Sequence, residues 1–129
     1  MVDYRALAEF RYQLRRFMHF SEQMARSVGL EPQQHQLMLA VKGMPEDRKT
    51  TIGEIAERLQ LQHHSTVELV DRLVERGLVE RQRDDEDHRR VFVHLTAKGE
   101  EVLHQLSAAH LEELRTIGPS LVHSLSILI

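Results

Sequence analysis

Nine histidines stand in a chain with no cysteine, and they set the first chemical question. Imidazoles bind transition metals most simply when two share one helix face, which an i,i+4 spacing provides. No pair here has that spacing. His63 and His64 are adjacent and point about 100° apart on a helix, and His104 and His110 are too far apart for one turn. A metal site is therefore not expected, and thiolate ligation, disulfides and cysteine redox chemistry are excluded. The acidic run Asp84-Asp85-Glu86-Asp87 reads as a solvated turn rather than a cation site. Glycine-rich phosphate loops, nucleophile elbows and carboxylate pairs in apolar settings are all missing, so neither catalysis nor a cofactor is expected. Two polar groups remain. Gln62, His63, His64 and Ser65, then Val67, Glu68 and Arg72, form one; Arg83, Arg89 and Arg90, placed around the acidic run, form the other. Short donors and acceptors suit the edges of nucleic-acid bases, and guanidinium groups suit phosphate.

The elements that must position these groups follow from the periodicity. Leu7, Phe10, Leu14, Phe17, Ser21, Met24 and Val28 alternate spacings of three and four, a stripe with one polar break on a helix from about Asp3 to Val28. Gly29 ends it, and Pro32 opens a second helix reaching Val41, with Leu37 and Val41 inward. Met44 to Thr50 is expected to be a charged loop. Thr51-Ile52-Gly53-Glu54 is a capping box that starts a short third helix, with Ile52, Ile55, Ala56 and Leu59 on one side. After a break near Gln60 to Gln62, a fourth helix turns Thr66, Leu69, Val70 and Leu73 inward and ends at Gly77. Its start is either His63 or two residues later, because Ser65-x-x-Glu68 also fits a capping box. The period then changes to two: Leu78 to Arg81 and Arg90 to Leu95 form a hairpin whose tip is the acidic run. Thr96 caps a long helix through Ile117, Gly118-Pro119 breaks it, and Leu121, Val122, Leu125 and Leu128 make a last short helix.

The order is thus α-α-α-α-β-β-α-α, a mainly α fold. Two helices joined by a tight turn and followed by a charged hairpin make a winged helix-turn-helix, whose second helix offers its N-terminal residues to the major groove of DNA. A chain of 129 residues supports one domain. Its 17 basic and 20 acidic residues give a net charge of -3, which excludes binding by bulk positive charge. Between Arg48 and Arg90 there are nine basic and ten acidic residues, so any cationic patch is local. No leader or membrane span is expected, which fits a cytoplasmic protein with no membrane partner. The outer helices, about 1–30 and 97–129, carry more apolar surface than a monomer would cover, so they are expected to form a homodimer around a lobe at about 32–96. Phe10, Phe17, Phe20, His35 and Met38 either are plain core or line a small-molecule pocket, which would need a basic group such as Arg11 or Arg15 to hold an anion.

The segments Gly29-Leu-Glu-Pro-Gln-Gln34, Thr51-Ile-Gly-Glu-Ile-Ala-Glu-Arg-Leu59, Leu69-Val-Asp-Arg-Leu73, Gly77-Leu-Val-Glu-Arg81, Asp84-x-Glu-Asp-x-Arg89 and Val93-x-Leu-Thr96 with Gly99 resemble the MarR family of bacterial transcriptional regulators. That resemblance implies a homodimer on a pseudo-palindromic operator of double-stranded DNA. It also implies a recognition helix from about His63, and Arg89 in the minor groove with Asp87 holding the wing tip. Many members release DNA on binding a small anionic aromatic effector. The chain departs from the family pattern twice. Its wing tip has His88 where an arginine is common, and its recognition helix has Val67-Glu68 where Ser/Thr-Arg is common. Glu68 either accepts a hydrogen bond from cytosine N4 or pairs with Arg72 at i,i+4.

Overall fold

The computed structural model describes residues 1–45 and 49–129. Among these, the order is α1 (Tyr4–Ser27), α2 (Pro32–Lys42), β1 (Thr50–Thr51), α3 (Ile52–Leu59), α4 (His63–Glu75), β2 (Val79–Arg83), β3 (Val91–Leu95) and α5 (Ala97–Leu128). The chain divides into two compact units, 1–29 with 105–129, and 30–104. The charged loop expected from Met44 to Thr50 lies in part outside the described residues.

The second unit is the winged helix. Pro32 sits at the first position of α2, where its missing N–H costs nothing, and the Gln34 side-chain oxygen accepts the Glu31 N–H at 2.9 Å. Helices α2, α3 and α4 pack on one another, with α2 also against β3. Leu37, Met38, Ile55, Val70 and Leu73 are fully buried, each stabilising the unit by roughly 1.5–3 kcal/mol of transfer free energy. Beside them the sheet runs β1-β3-β2, all antiparallel, with Val79 opposite Leu95 and Arg83 opposite Val91. Strand β1 was not legible as a strand; Thr50 and Thr51 pair with Val93 and Phe92 and make β3 the central strand. Its inward face is Val93. Phe92, on the other face, is also buried, because the Lys49 ammonium and Arg90 guanidinium lie over its ring at 5.1 and 5.3 Å.

One close approach fixes the exit from the sheet. Thr96 N–H donates to the Leu78 carbonyl at 3.1 Å, its hydroxyl donates to the Gly77 carbonyl at 2.7 Å, and the same hydroxyl accepts the Gly99 N–H at 3.0 Å as the cap of α5. Gly99 has no side chain because there is no room: a Cβ there would stand 2.1 Å from the Leu78 carbonyl oxygen.

In the first unit, α1 is capped by Asp3, whose Oδ1 accepts the Ala6 N–H at 3.0 Å, and ends at Gly29 with φ +79°. Its apolar stripe is only half covered: Phe10, Leu14, Phe17 and Met24 are half-buried and Leu7 is exposed, while Ala6, Gln13, Ser21 and Ala25 are buried. The polar break at Ser21 has a partner. His110 Nδ1 faces the Leu106 carbonyl at 2.6 Å and must donate to it, which leaves Nε2 to accept from the Ser21 hydroxyl at 2.8 Å in the neutral ring. Phe17 and Phe20 meet the same imidazole edge-on at 5.8 and 5.4 Å.

The expected break at Gly118-Pro119 is corrected. Helix α5 runs through it without interruption, with Pro119 inside. Pro119 leaves the Arg115 carbonyl without its helical donor, but both residues are exposed, where an unpaired carbonyl costs little. Gly118, with no Cβ, lacks the atom that clashes with the following proline ring when the backbone is helical. Ile117 and Ser124, two turns apart across the proline, are both buried, and that continuous buried face holds the helix together.

Candidate nucleic-acid interface

The turn between α3 and α4 is built from local chemistry. Thr51 Oγ1 accepts the Glu54 N–H at 3.2 Å and Glu54 Oε1 reaches back to the Thr51 N–H at 3.4 Å, completing the capping box. Gln60 takes φ +57° at the end of α3, and Leu61 N–H closes on the Ala56 carbonyl at 3.0 Å. Helix α4 then starts at His63, with Gln62 extended before it and giving no side-chain cap. Ser65-x-x-Glu68 therefore lies inside the first turns and is not a capping box. The buried Thr66 sends its hydroxyl back to the Gln62 carbonyl at 3.0 Å. The early amides of α4, carrying the positive end of the helix dipole, are left beside exposed Gln62, His63 and His64. Ser65 and Val67 are half-buried; Glu68 and Arg72 are exposed.

The hairpin tip is self-bonded. Asp84 N–H donates to the Arg90 carbonyl at 3.0 Å and Arg90 N–H to the Asp87 carbonyl at 2.9 Å. The Arg83 guanidinium donates to the His88 carbonyl. Arg90 lies over Phe92, with its Nη1 4.0 Å from Asp84. Arg89 is held differently. Asp87 Oδ1 accepts both its backbone N–H and its Nε at 3.1 Å, while the Arg89 side chain remains 91% exposed. These bonds from the Arg89 side chain and backbone hold the Asp87 carboxyl below the usual carboxylate range.

Six of the eleven positions expected from sequence gather in two places. His63, Arg89 and Arg90 line one cleft of about 300 Å³ with Thr51, Glu54 and Val91. Ser65, Glu68 and Arg72 line a second, of about 430 Å³, with Glu31, Pro32, Gln33 and Gln34. Gln62, just before α4, and His64 and half-buried Val67 on it stand outside both linings, as do Arg83 and Asp87 in the wing. The start of α2 was missed as part of this surface, although Pro32 at a helix start was the available signal. Also missed were the ties that brace the wing: Asp71 of α4 pairs with Arg81 of β2, and Glu80 faces His94 across the hairpin at 3.0 Å.

The expected effector residues fall in different units. Phe10 and Phe17 are half-buried and Arg15 is exposed in the first; His35 and Met38 are buried in the second. Among the described residues, no three or more His, Asp or Glu side chains converge as metal ligands.

Three helices, a tightly capped turn and a strand pair with an arginine-bearing tip define the winged helix-turn-helix class. Residues 28–90 match the model of the MarR family. The chain is also 36% identical over 70 residues to YsmB of Bacillus subtilis, an uncharacterized HTH-type transcriptional regulator; the match covers 54% of this chain and about half, 48%, of that protein. Among solved structures, MepR, a transcription regulator of the Staphylococcus aureus multidrug efflux pump MepA, superposes with a TM-score of 0.78 at 20% identity, covering 99% of this chain and 100% of that one. A mutant of S. aureus MepR bound to an oligodeoxyribonucleotide gives 0.73 at 20% identity over 100% of both chains. Residues 28–90, which carry the helix-turn-helix and most of the wing, are thus of the MarR type.

Proposed function

We propose that this protein is a sequence-specific DNA-binding transcriptional regulator, acting in the cytoplasm as a ligand-responsive repressor on a pseudo-palindromic operator. The observation that carries the reading is the cleft in which His63, at the N-terminus of α4, faces Arg89 and Arg90 of the wing. It sets a helix end and two guanidiniums around one concave surface, an arrangement suited to a phosphate backbone flanked by a major and a minor groove. The chain acts as a homodimer. Tyr12, Met18, Leu111, Val122 and Ile127 are each at least half exposed, and a second copy covers so much apolar surface most economically. Two recognition helices about one helical turn apart then enter successive major grooves. A small anionic aromatic effector shifts the equilibrium only by binding one arrangement more tightly than the other.

A second reading, a winged-helix protein-interaction module that no longer binds DNA, is favoured by the carboxylates of Glu68, Asp71 and Glu75 on α4. A metal-responsive regulator has no convergent ligand set among the described residues to support it. The test is fluorescence anisotropy of the full chain on duplexes from its own upstream intergenic DNA, at several salt concentrations. The expected result is tight binding to one segment, weak binding to scrambled duplex, and log K falling with log salt. Arg89→Ala should flatten that slope by about 0.9 for each phosphate that the guanidinium had neutralised. Equal, weak binding to every duplex, including a random-sequence pool, overturns the DNA reading in favour of the interaction module.

A further inference from the structure

We propose that Glu68 is a specificity-determining residue that reads cytosine in the major groove; the inference rests on the DNA-binding reading above. Thr66, Val70 and Leu73 define the buried face of α4, so His64, Glu68, Asp71 and Glu75 lie along the opposite ridge by helical spacing. They are not equivalent. Asp71 is taken by Arg81. Glu75 is the last residue of α4, about 10 Å further along the axis than Glu68. His64 and Glu68 occupy the first two turns, the part of a recognition helix that meets base edges.

Sequence left two partners open for Glu68, Arg72 or a base. Among the described residues, neither Glu68 nor Arg72 is in an ion pair, although they are exposed and line the same groove with Ser65 and Gln33. Glu68 therefore presents an ionised, acceptor-only side chain outward. Between two phosphate chains such a group is repelled unless a donor meets it. Guanine presents the acceptors O6 and N7, and thymine presents O4 and a methyl group. Adenine offers N6–H but sets the N7 acceptor beside it. Cytosine alone offers an amino donor with no acceptor on its own major-groove edge, its one neighbouring acceptor being O6 of the paired guanine. Arg72, one turn further on, supplies the cation that offsets the phosphate field.

The test is selection from a random duplex pool by the full-length wild-type chain and by Glu68→Gln, followed by anisotropy on the four single-base variants of the selected site. The wild type should enrich cytosine at one position per half-site, discriminating by roughly 5- to 150-fold, the range for one mismatched base pair in a specific site. Glutamine both donates and accepts and pairs with adenine N6 and N7, so Glu68→Gln should move the preference at that position to adenine and leave the others unchanged. Matched circular dichroism melts of the two proteins exclude a folding effect. An unchanged base preference, or an equal change in affinity for all four variants, overturns the inference while leaving specific DNA binding intact. Enrichment of no sequence by either protein overturns both readings.

Discussion

Replacing Gly99 by alanine pits two opposite effects against each other, and the geometry decides between them. Gly99 is in the first turn of α5 and is not among the positive-φ residues. On helix propensity alone, alanine would stabilise the chain by about 1 kcal/mol. The added Cβ, however, would stand 2.1 Å from the Leu78 carbonyl oxygen and 3.0 Å from its carbon. Ordinary contact begins near 3.4 Å, so α5 and the start of β2 must separate by more than an ångström. The atom in the way is backbone and has no rotamer to escape into. Overpacking of this kind costs about 1–3 kcal/mol. The separation also breaks the two bonds from Thr96 to Leu78 and Gly77, each worth about 1 kcal/mol net. The net effect is a loss of about 2–4 kcal/mol. With an unfolding entropy of about 0.27 kcal/mol/K for a chain of this length, the melting temperature falls by about 7–15 °C. Circular dichroism melts at fixed protein concentration measure this directly. Gly53→Ala is the control: it sits in α3, where a Cβ meets nothing closer than the Thr51 hydroxyl at 3.9 Å, and should raise the melting temperature by about 2–4 °C. A Gly99→Ala protein that melts at or above the wild type would refute the steric reasoning.

Two further outcomes follow from the turn and the wing. Thr51→Ala removes the hydroxyl half of the capping box, leaving the Glu54 bond to the backbone N–H, and should lower stability by about 1 kcal/mol, read as a lower urea midpoint at unchanged m; an unchanged midpoint means that the hydroxyl contributes nothing. Asp87 is held below the usual carboxylate range by Arg89. The ordering of the wing tip is therefore complete above the ordinary carboxylate pKa and is lost as pH falls through the lowered one. Carboxyl NMR titration should place Asp87 below the usual aspartate range, and Asp87→Asn should loosen the tip at neutral pH. A normal titration curve for Asp87 means the Arg89 tie does not form in solution.

Sequence was most informative where one residue type has one local job. Thr51 and Thr96 were legible as caps because a short oxygen beside free amides has few alternatives. Gly29 and Gly77 marked helix ends because a left-handed residue is needed there. The period-two run from Val91 to Leu95 gave the wing. What escaped was whatever depends on distant partners. β1 is two residues long and becomes a strand only by pairing with β3. Pro119 carries a strong local stop signal, yet burial of Ile117 and Ser124 on either side outweighs it. Ser21 looked like a flaw in an apolar stripe until His110 supplied its partner.

The charge pattern of the wing shows why residue counts misjudge such a surface. Residues 48–90 carry one more acid than base, which argues for weak attraction to a polyanion. Yet the cations and acids are not equally spent. Arg83 is engaged by the His88 carbonyl, Arg81 by Asp71, and Arg90 lies over Phe92 near Asp84. These bonds stiffen the hairpin and its junction with α4. Arg89 is oriented by Asp87 at its Nε end while its side chain stays almost fully exposed. Asp87 thus trades part of the net charge for direction: it lowers the attraction to any duplex and fixes where the guanidinium points. On the DNA-binding reading proposed above, a wing so built would draw little affinity from non-specific attraction to phosphate, and the weight of binding would shift to the fit of α4 in its groove. That balance is what a regulator needs if it is to leave most of a genome unbound.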